Sequence, residues 1–307
     1  MGTTRSPMVR QQWLRGGIAL AVMMFGQGYG QSAQAQDANA LRARHVALRS
    51  ALASSVFEQP LVLESTQANS SLTGDVYAVI AQPFSVVGPA LQGMDHWCDI
   101  LILHLNVKRC VPRKAAAGDQ IGLAVGRKFD QPIGEAYQID FAYRLAMAQA
   151  DYLKVLLSAD VGPLGTKDYR IAVEAVPIDA KTTFVHMSYS YGHGMAAWMA
   201  LQAYLGTAGK SKVGFSVTGT DASGGPVYVG SVHGVIERNT MRYFLAVEAY
   251  LAAIAVPAPQ REEQRLINWF NAVERFPRQL HELERDEYLS MKRHELAAQR
   301  SVPLAAQ

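Results

Sequence analysis

Two stretches of the sequence hold the side chains best suited to chemistry, and the first contains both cysteines. In DHWCDILILHLNVKRC, Cys98 and Cys110 stand twelve positions apart with His104 between them. This set is compatible with a zinc site, a redox pair, a nucleophile or a structural disulfide. Zinc ligands usually lie two to four residues apart, and the nearest candidates for a fourth ligand are Asp95 and His96. The spacing therefore disfavours a metal site.

The second stretch, HMSYSYGHGM, is rich in polar and aromatic residues. On a strand, His186 and Ser188 share one face, while Tyr189, Tyr191 and His193 share the other. A His–Ser pair acts as base and nucleophile only when an acid orients the histidine, and spacing does not reveal one. We favour a polar outer strand face. Because no G-x-S-x-G, H-E-x-x-H, C-x-x-C or P-loop motif is present, we assign no catalytic residue, metal or cofactor.

The first 35 residues have the pattern of a secretory signal peptide. Arg5, Arg10 and Arg15 precede the apolar run GGIALAVMMFG, and Ala33 and Ala35 form an A-x-A cleavage site. A run of about eleven apolar residues is too short to span a bilayer. We expect cleavage after Ala35 and a periplasmic or secreted protein, with an uncleaved N-terminal anchor as the alternative.

Export changes how the cysteines and the charges are interpreted. Oxidising compartments favour a disulfide between Cys98 and Cys110, which would stabilise the fold by roughly 3 kcal/mol. Free buried thiols are the alternative. The chain has 29 basic and 26 acidic residues, and the three arginines of the signal account for the excess. With no basic cluster we expect no nucleic-acid partner, and with no later apolar run of 18 residues we expect no transmembrane segment.

The elements that position these residues begin with a helix at 37–59, followed by two alternating strands and two short helices separated at Gly93. A strand follows, in which four apolar residues face inward and two residues face the other way: inward Leu101, Leu103, Leu105 and Val107, outward His104 and Cys110. The run of strands continues through AYQIDFAYRLAMA, which places alternate residues on one face: Tyr137, Ile139, Phe141, Tyr143, Leu145 and Met147.

A helix at 195–206 comes next, and then a strand pair, KVGFSVTG and PVYVGSVHG. The segment ERNTMRYFLAVEAYLAAI predicts a long amphipathic helix. Interleaved charges after residue 256 predict a solvated helical extension, with a partner-binding tail as the alternative.

The order of these elements resembles the START-like, or helix-grip (SRPBCC), superfamily, on the strength of WCDILILHLNVKRC and the ERNTMRYFLAVEAYL helix. The resemblance implies an α+β fold in which a curved antiparallel sheet wraps around a long C-terminal helix and an apolar cavity. We therefore divide the chain into a signal peptide (1–35), an N-terminal helix (36–59), the helix-grip domain (60–255) and a charged helical extension (256–307).

The resemblance also implies a hydrophobic, lipid-like ligand, which the protein would bind or carry. We expect the cavity to be lined by seven aromatic residues: Trp97, Tyr137, Phe141, Tyr143, Tyr189, Tyr191 and Phe244. Two alternatives stay open. One is a hydrolase or cyclase on the same scaffold that uses His186, Tyr189 or Tyr191. The other is a cell-envelope interaction protein that binds its partner through the C-terminal helices, with an exposed apolar stripe around Trp269 and Phe270.

Overall fold

An eight-stranded sheet and a long helix organise the chain, in a computed structural model that describes residues 1–2, 28–68, 70–116, 118–207 and 209–301. The helices are α1 Gly28–Ala53, α2 Phe84–Ala90, α3 Met94–Leu101, α4 Met195–Gly206, α5 Ser231–Ala252, α6 Arg261–Glu274, α7 Pro277–Leu280 and α8 Arg285–Ser301. The strands are β1 Leu61–Ala68, β2 Ser71–Ile80, β3 Val107–Ala115, β4 Gly118–Val125, β5 Tyr137–Ala148, β6 Leu153–Val161, β7 Thr166–Pro177, β8 Thr183–His193, β9 Val217–Thr220 and β10 Pro226–Tyr228.

The large sheet is antiparallel, with the strand order β1-β2-β8-β7-β6-β5-β4-β3. Strands β3 to β8 follow one another as a meander, and β8 then pairs with the early strand β2. Helix α5 lies across the concave face, in contact with β1, β2, β8 and α3. This is the helix-grip architecture, and the predicted α+β fold with a curved sheet around a long C-terminal helix is confirmed.

Helix α5 packs closely on the sheet because β2 has a glycine, Gly74, at the point of contact. A Cβ atom at Gly74 would lie 2.2 Å from Oγ1 of Thr240. The helix begins at Ser231, so the prediction of a strand through PVYVGSVHG was wrong beyond Tyr228. Val232 and Ile236, four residues apart, are both buried on one face of the helix.

The strand predicted from Leu101 to Val107 was also wrong. Helix α3 ends at Leu101, a turn follows, and β3 begins only at Val107. All residues of the turn from 102 to 105 are buried, so alternation of apolar residues has no structural meaning here. This turn carries His104 to the concave side of the sheet.

A register shift in β5 changes the side that its last residues face. The shift lies between Leu145 and Met147 in the pairing of β5 with β6. As a result Met147 packs beneath α1 on the opposite face, whereas the alternating pattern placed it on the inner face. Leu145 lies before the shift, pairs with the buried Val155 and is itself exposed.

Helix α1 covers the convex face of the sheet. Its Leu41, Leu48 and Leu52 pack in a separate apolar cluster with Val176 and Phe184. The helix ends at Ala53, six residues before the predicted end of the N-terminal helix at residue 59. Most of the predicted signal peptide, residues 3–27, lies outside the described residues, and α1 runs through the predicted cleavage site.

The C-terminal helices join the main core instead of standing in solvent on all sides. Trp269 of α6 is buried and stacks on Tyr288 of α8, with ring centroids 4.9 Å apart. The apolar stripe around Trp269 is therefore covered by the chain itself. A partner that binds through these helices stays a prediction.

The disulfide between Cys98 and Cys110 is present and joins α3 to β3, as predicted. With both sulfurs in this bond, neither cysteine offers a thiolate to a metal. Among the described residues, no helix combines the length and apolar character needed to cross a membrane.

Candidate functional site

A cavity of about 150 Å³ lies between the concave face of the sheet and α5. Its aromatic wall is made by Phe141, Tyr169, Tyr189 and Tyr243, and its polar residues are His104, Asn106 and Asn239. Tyr169 and Tyr189 come from neighbouring strands, whereas Tyr243 comes from α5. The grip of the sheet around the helix therefore assembles the site from distant parts of the sequence.

The tyrosines of this wall contact one another. The rings of Tyr189 and Tyr243 have centroids 5.1 Å apart, and Tyr169 stacks on Tyr191 at 5.4 Å. Burial raises the pKa of Tyr169, Tyr189 and Tyr243 above the usual value. Their hydroxyl groups therefore stay protonated at neutral pH, which keeps a hydrogen-bond donor on each phenol.

His104 is the most unusual polar group of the cavity wall. The side chain is 3% exposed and its ring stacks on Tyr243, with centroids 4.5 Å apart. Burial, together with the charges of Arg242 and Lys292, lowers its pKa well below the usual value, so the ring is neutral. The backbone N–H of Asn106 donates to Nδ1 at 3.1 Å, which places the ring proton on Nε2.

Nε2 of His104 is buried and has no hydrogen-bond partner among the described residues. A buried donor without an acceptor costs about 1–3 kcal/mol. The sequence places His104 between two cysteines, but its position at the cavity depends on the turn after α3.

Buried and half-buried cations lie near the turn that carries His104. Lys292 Nζ donates to the carbonyl oxygens of His104 and Val107, both at 2.8 Å. Lys108 and Lys292 share the carboxylate of Glu295. In the same way Lys128, Lys212 and Arg242 share the carboxylate of Glu282.

Among the residues that the structure describes, two carboxylates serve five cations in this group of ion pairs. Burial and the charge of Arg242 lower the pKa of Lys128 to about 8, although Glu282 opposes the shift. The local electrostatic potential therefore favours a negatively charged group near His104.

The seven residues predicted to line the cavity have different positions. Phe141 and Tyr189 line it, and Tyr191 supports the wall by stacking on Tyr169. Four others lie elsewhere. Trp97, Tyr143 and Phe244 are buried in the core and Tyr137 is 48% exposed. That these residues contact a ligand stays a prediction.

Several cavity residues were missed by the sequence analysis. Tyr169 begins the alternating series Tyr169, Ile171, Val173, and this series could have placed it on the inner face. Asn239 and Tyr243 are four residues apart on α5, a spacing that puts both on one side of the helix.

His186 belongs to a different cluster, on the convex face. Its Nε2 lies 2.9 Å from Asp75 and its Nδ1 lies 3.3 Å from Glu174. Tyr77 stacks on its ring, with centroids 4.4 Å apart. Both ring nitrogens are engaged by carboxylates, so His186 is held as a charged structural group. This arrangement gives no support to its pairing with Ser188 as base and nucleophile.

The pKa values of this cluster follow from its contacts. Burial alone would lower the pKa of His186, but the hydrogen bonds and charges of Asp75 and Glu174 outweigh burial and raise it. Burial would raise the pKa of Glu174, but hydrogen bonds from His186 and Tyr152 lower it to about 2.

We expect the cluster to stabilise the protein most between about pH 4.5 and 6.5. The His186 contribution is fully present below its unfolded pKa and is lost as the pH rises through the raised folded pKa. The Glu174 contribution is lost as the pH falls from about 4.5 towards 2. Urea unfolding should show a larger gap between wild type and His186→Gln at about pH 5.5 than at about pH 9. The control is His294→Gln, because His294 is exposed and its replacement should change stability little at either pH. An equal gap for His186→Gln at both pH values would contradict the expectation.

Several solved structures have similar folds. A conserved protein from Geobacillus kaustophilus shows 12% identity and a TM-score of 0.35, covering 59% of this chain and 95% of that chain. A START superfamily protein from Mycobacterium smegmatis shows 10% identity and a TM-score of 0.30, covering 44% and 92% respectively. A point mutant of norcoclaurine synthase from Thalictrum flavum shows 13% identity and a TM-score of 0.31, covering 45% and 86%. No family model matches the sequence, and comparison with curated proteins gives no match.

Proposed function

We propose that this protein binds a small, single-ring molecule in the cavity between the sheet and α5. The observation that carries the proposal is a cavity of about 150 Å³ with a wall of three tyrosines. An apolar cavity of about this size holds benzene in another protein. Tyrosine rings supply flat surfaces for stacking, and their hydroxyls offer hydrogen bonds to a polar substituent.

The cavity volume supports a smaller ligand than the lipid-like one expected from the sequence. Sites for drug-sized ligands usually measure about 300–1,000 Å³. At about 150 Å³ the cavity is half of the lower limit, which is too small for a long acyl chain or a sterol. The supported class of ligand is therefore smaller, and transport of a lipid stays a prediction.

Binding is tested with one-ring probes and a variant that fills the cavity. Toluene, phenol and benzoate are titrated into the protein by calorimetry and by ligand-observed NMR, beside palmitate as a long-chain probe. We expect at least one ring compound to bind. Asn239 lines the cavity, so Asn239→Phe should weaken that binding at least tenfold.

The matched control is Asn271→Phe, because Asn271 is exposed on α6, away from the cavity. This variant should bind the same probe as wild type does. Failure of all three ring compounds, or equal binding by both variants, would contradict the proposal. Uptake of palmitate alone would support the lipid carrier instead.

We also propose that the protein works outside the cytoplasm. The proposal is supported by the basic and apolar pattern of the first 35 residues and is consistent with the Cys98–Cys110 disulfide. Mass spectrometry of protein from a periplasmic fraction should give a chain that begins at Gln36. A chain that retains residue 1 and stays in the cytoplasmic fraction would contradict it.

A further inference from the structure

A trough of about 350 Å³ lies on the convex face of the sheet, away from the tyrosine-walled cavity of the concave face. Helix α1 covers the part of the convex face around Val176 and Phe184, and the trough lies further along the same strands. Sites for small molecules usually measure about 300–1,000 Å³. The polar side chains that line this arginine trough are two arginines and three serines: Arg144, Arg170, Ser158, Ser188 and Ser190.

The strand register places the two arginines on either side of β6. Arg144 of β5 is opposite Leu156 of β6, and Arg170 of β7 is opposite Ser158 of β6. Because neighbouring strands lie about 4.8 Å apart, the two strands that carry the arginines are about 10 Å apart. Both side chains are exposed and both line the trough. A small anion can therefore lie over Ser158, between the two guanidinium groups.

The donors of the arginine trough have no partner within the part of the chain that the structure describes. Neither guanidinium group forms a hydrogen bond or an ion pair with a described residue, and neither do the three serine hydroxyls. Other charged side chains of the same face are paired. Arg113 lies 2.8 Å from Asp140, and His186 lies 2.9 Å from Asp75. The arginine trough thus combines five donor side chains that are available to a ligand.

The chemistry of these donors favours a phosphate group. Guanidinium and hydroxyl groups donate hydrogen bonds to anionic oxygens, and no carboxylate is among the described residues that line the trough. One arginine is enough to pair with a carboxylate, which has two oxygens and a single charge. A phosphate monoester has three free oxygens and a charge of about −1.5 to −2 at pH 7. It therefore matches two guanidinium groups together with additional hydroxyl donors.

We propose that the arginine trough binds a phosphate monoester group between Arg144 and Arg170, with the hydroxyls of Ser158 and Ser190 donating to its oxygens. The carbon part of the ligand lies against the apolar lining, which includes Leu156. This is a second binding site, on the opposite face of the sheet from the cavity. The inference therefore does not depend on the proposed function.

The test compares three probes with the same three-carbon chain: glycerol phosphate, glycerate and glycerol. Each is titrated into the full chain by calorimetry at constant ionic strength. Glycerol phosphate should bind at least tenfold more tightly than glycerate, and glycerol should not bind. Arg144→Gln and Arg170→Gln should each weaken the binding of glycerol phosphate at least tenfold. The matched control is Arg49→Gln, which removes the same charge from an exposed position on α1 outside the trough and should leave binding unchanged.

A second arm of the experiment identifies the source of the phosphate. The protein is sedimented with vesicles of phosphatidylcholine alone and with vesicles that also contain phosphatidic acid, whose headgroup is a phosphate monoester. Cosedimentation that requires phosphatidic acid and both arginines would support the proposal with a lipid headgroup as the ligand. Binding of glycerol phosphate without cosedimentation would support it with a soluble compound.

NMR of the wild-type protein locates the bound probe without relying on variants. Glycerol phosphate should shift the backbone amide resonances of Ser158, Arg170 and Ser190 and leave those of Asn239 and Tyr243 in place. Shifts at the two cavity residues alone, equal binding of glycerate and glycerol phosphate, or equal binding by Arg170→Gln and wild type would overturn the inference. Failure of both glycerol phosphate and phosphatidic acid would also overturn it and would leave the binding of ring compounds in the cavity untouched.

Discussion

Replacing Glu237 by leucine is expected to lower the free energy of unfolding by about 3 kcal/mol, because the substitution leaves buried hydrogen-bond donors without an acceptor. Glu237 is fully buried on α5. One carboxylate oxygen accepts the backbone N–H groups of Phe215 and Ser216, at 2.6 and 2.9 Å. The other accepts the hydroxyls of Ser65 and Ser216, at 2.8 and 2.6 Å. The side chain of Glu237 thus connects both β1 and the segment before β9 to α5 by hydrogen bonds.

Two further variants separate this hydrogen bonding from the loss of charge alone. Glu237→Gln should recover much of the stability, because its amide oxygen can still accept both backbone N–H groups and its amide N–H₂ can donate to the hydroxyls. Glu248→Leu on the same helix removes a partly exposed ion pair with Arg275 and should cost less than about 1 kcal/mol. Denaturant unfolding measures all three variants. Equal losses for Glu237→Leu and Glu248→Leu would contradict the role of Glu237.

The sheet could be predicted from the sequence because its strands carry a local signal. Ile139, Phe141 and Tyr143 alternate with exposed residues, and all three are buried on the inner face. The same rule fails where the backbone departs from regular geometry. The register shift near Met147 and the buried turn before Val107 both depend on contacts with α1 and the core, which no local pattern encodes.

The candidate site was harder to predict because its residues are brought together by tertiary structure. His104, Tyr169 and Tyr243 lie on a turn, a strand and a helix that are far apart in the sequence. The tautomer of His104 depends on one backbone N–H, and its electrostatic environment depends on the C-terminal helix. Residues after 256 carry so many charges that they suggest solvent exposure, yet Lys292 and Glu295 are buried. Paired charges can enter a core, which composition alone does not show.

Lys292→Met is expected to destabilise the protein by about 3 kcal/mol, because it breaks a buried ion pair from one side. Lys292 is fully buried and donates to Glu295 at 2.8 Å as well as to the carbonyl oxygens of His104 and Val107. Methionine fills a similar volume but leaves both carbonyls without this donor. Burial lowers the pKa of Lys292 to about 8, and the charge of Glu295 opposes this shift. Glu295 and the two carbonyl oxygens therefore stabilise the buried ammonium group.

The neighbouring residue provides the matched control. Arg293 lies on the same helix, is 55% exposed at its side chain and pairs with Glu263 at the surface. Arg293→Met should therefore cost less than about 1 kcal/mol in the same urea titration. Because Lys292 also holds the turn that carries His104, Lys292→Met should weaken the binding of ring compounds in the cavity, and Arg293→Met should leave it unchanged. Equal stability of the two variants would contradict this expectation and would mean that α8 contributes little to the stability of the fold.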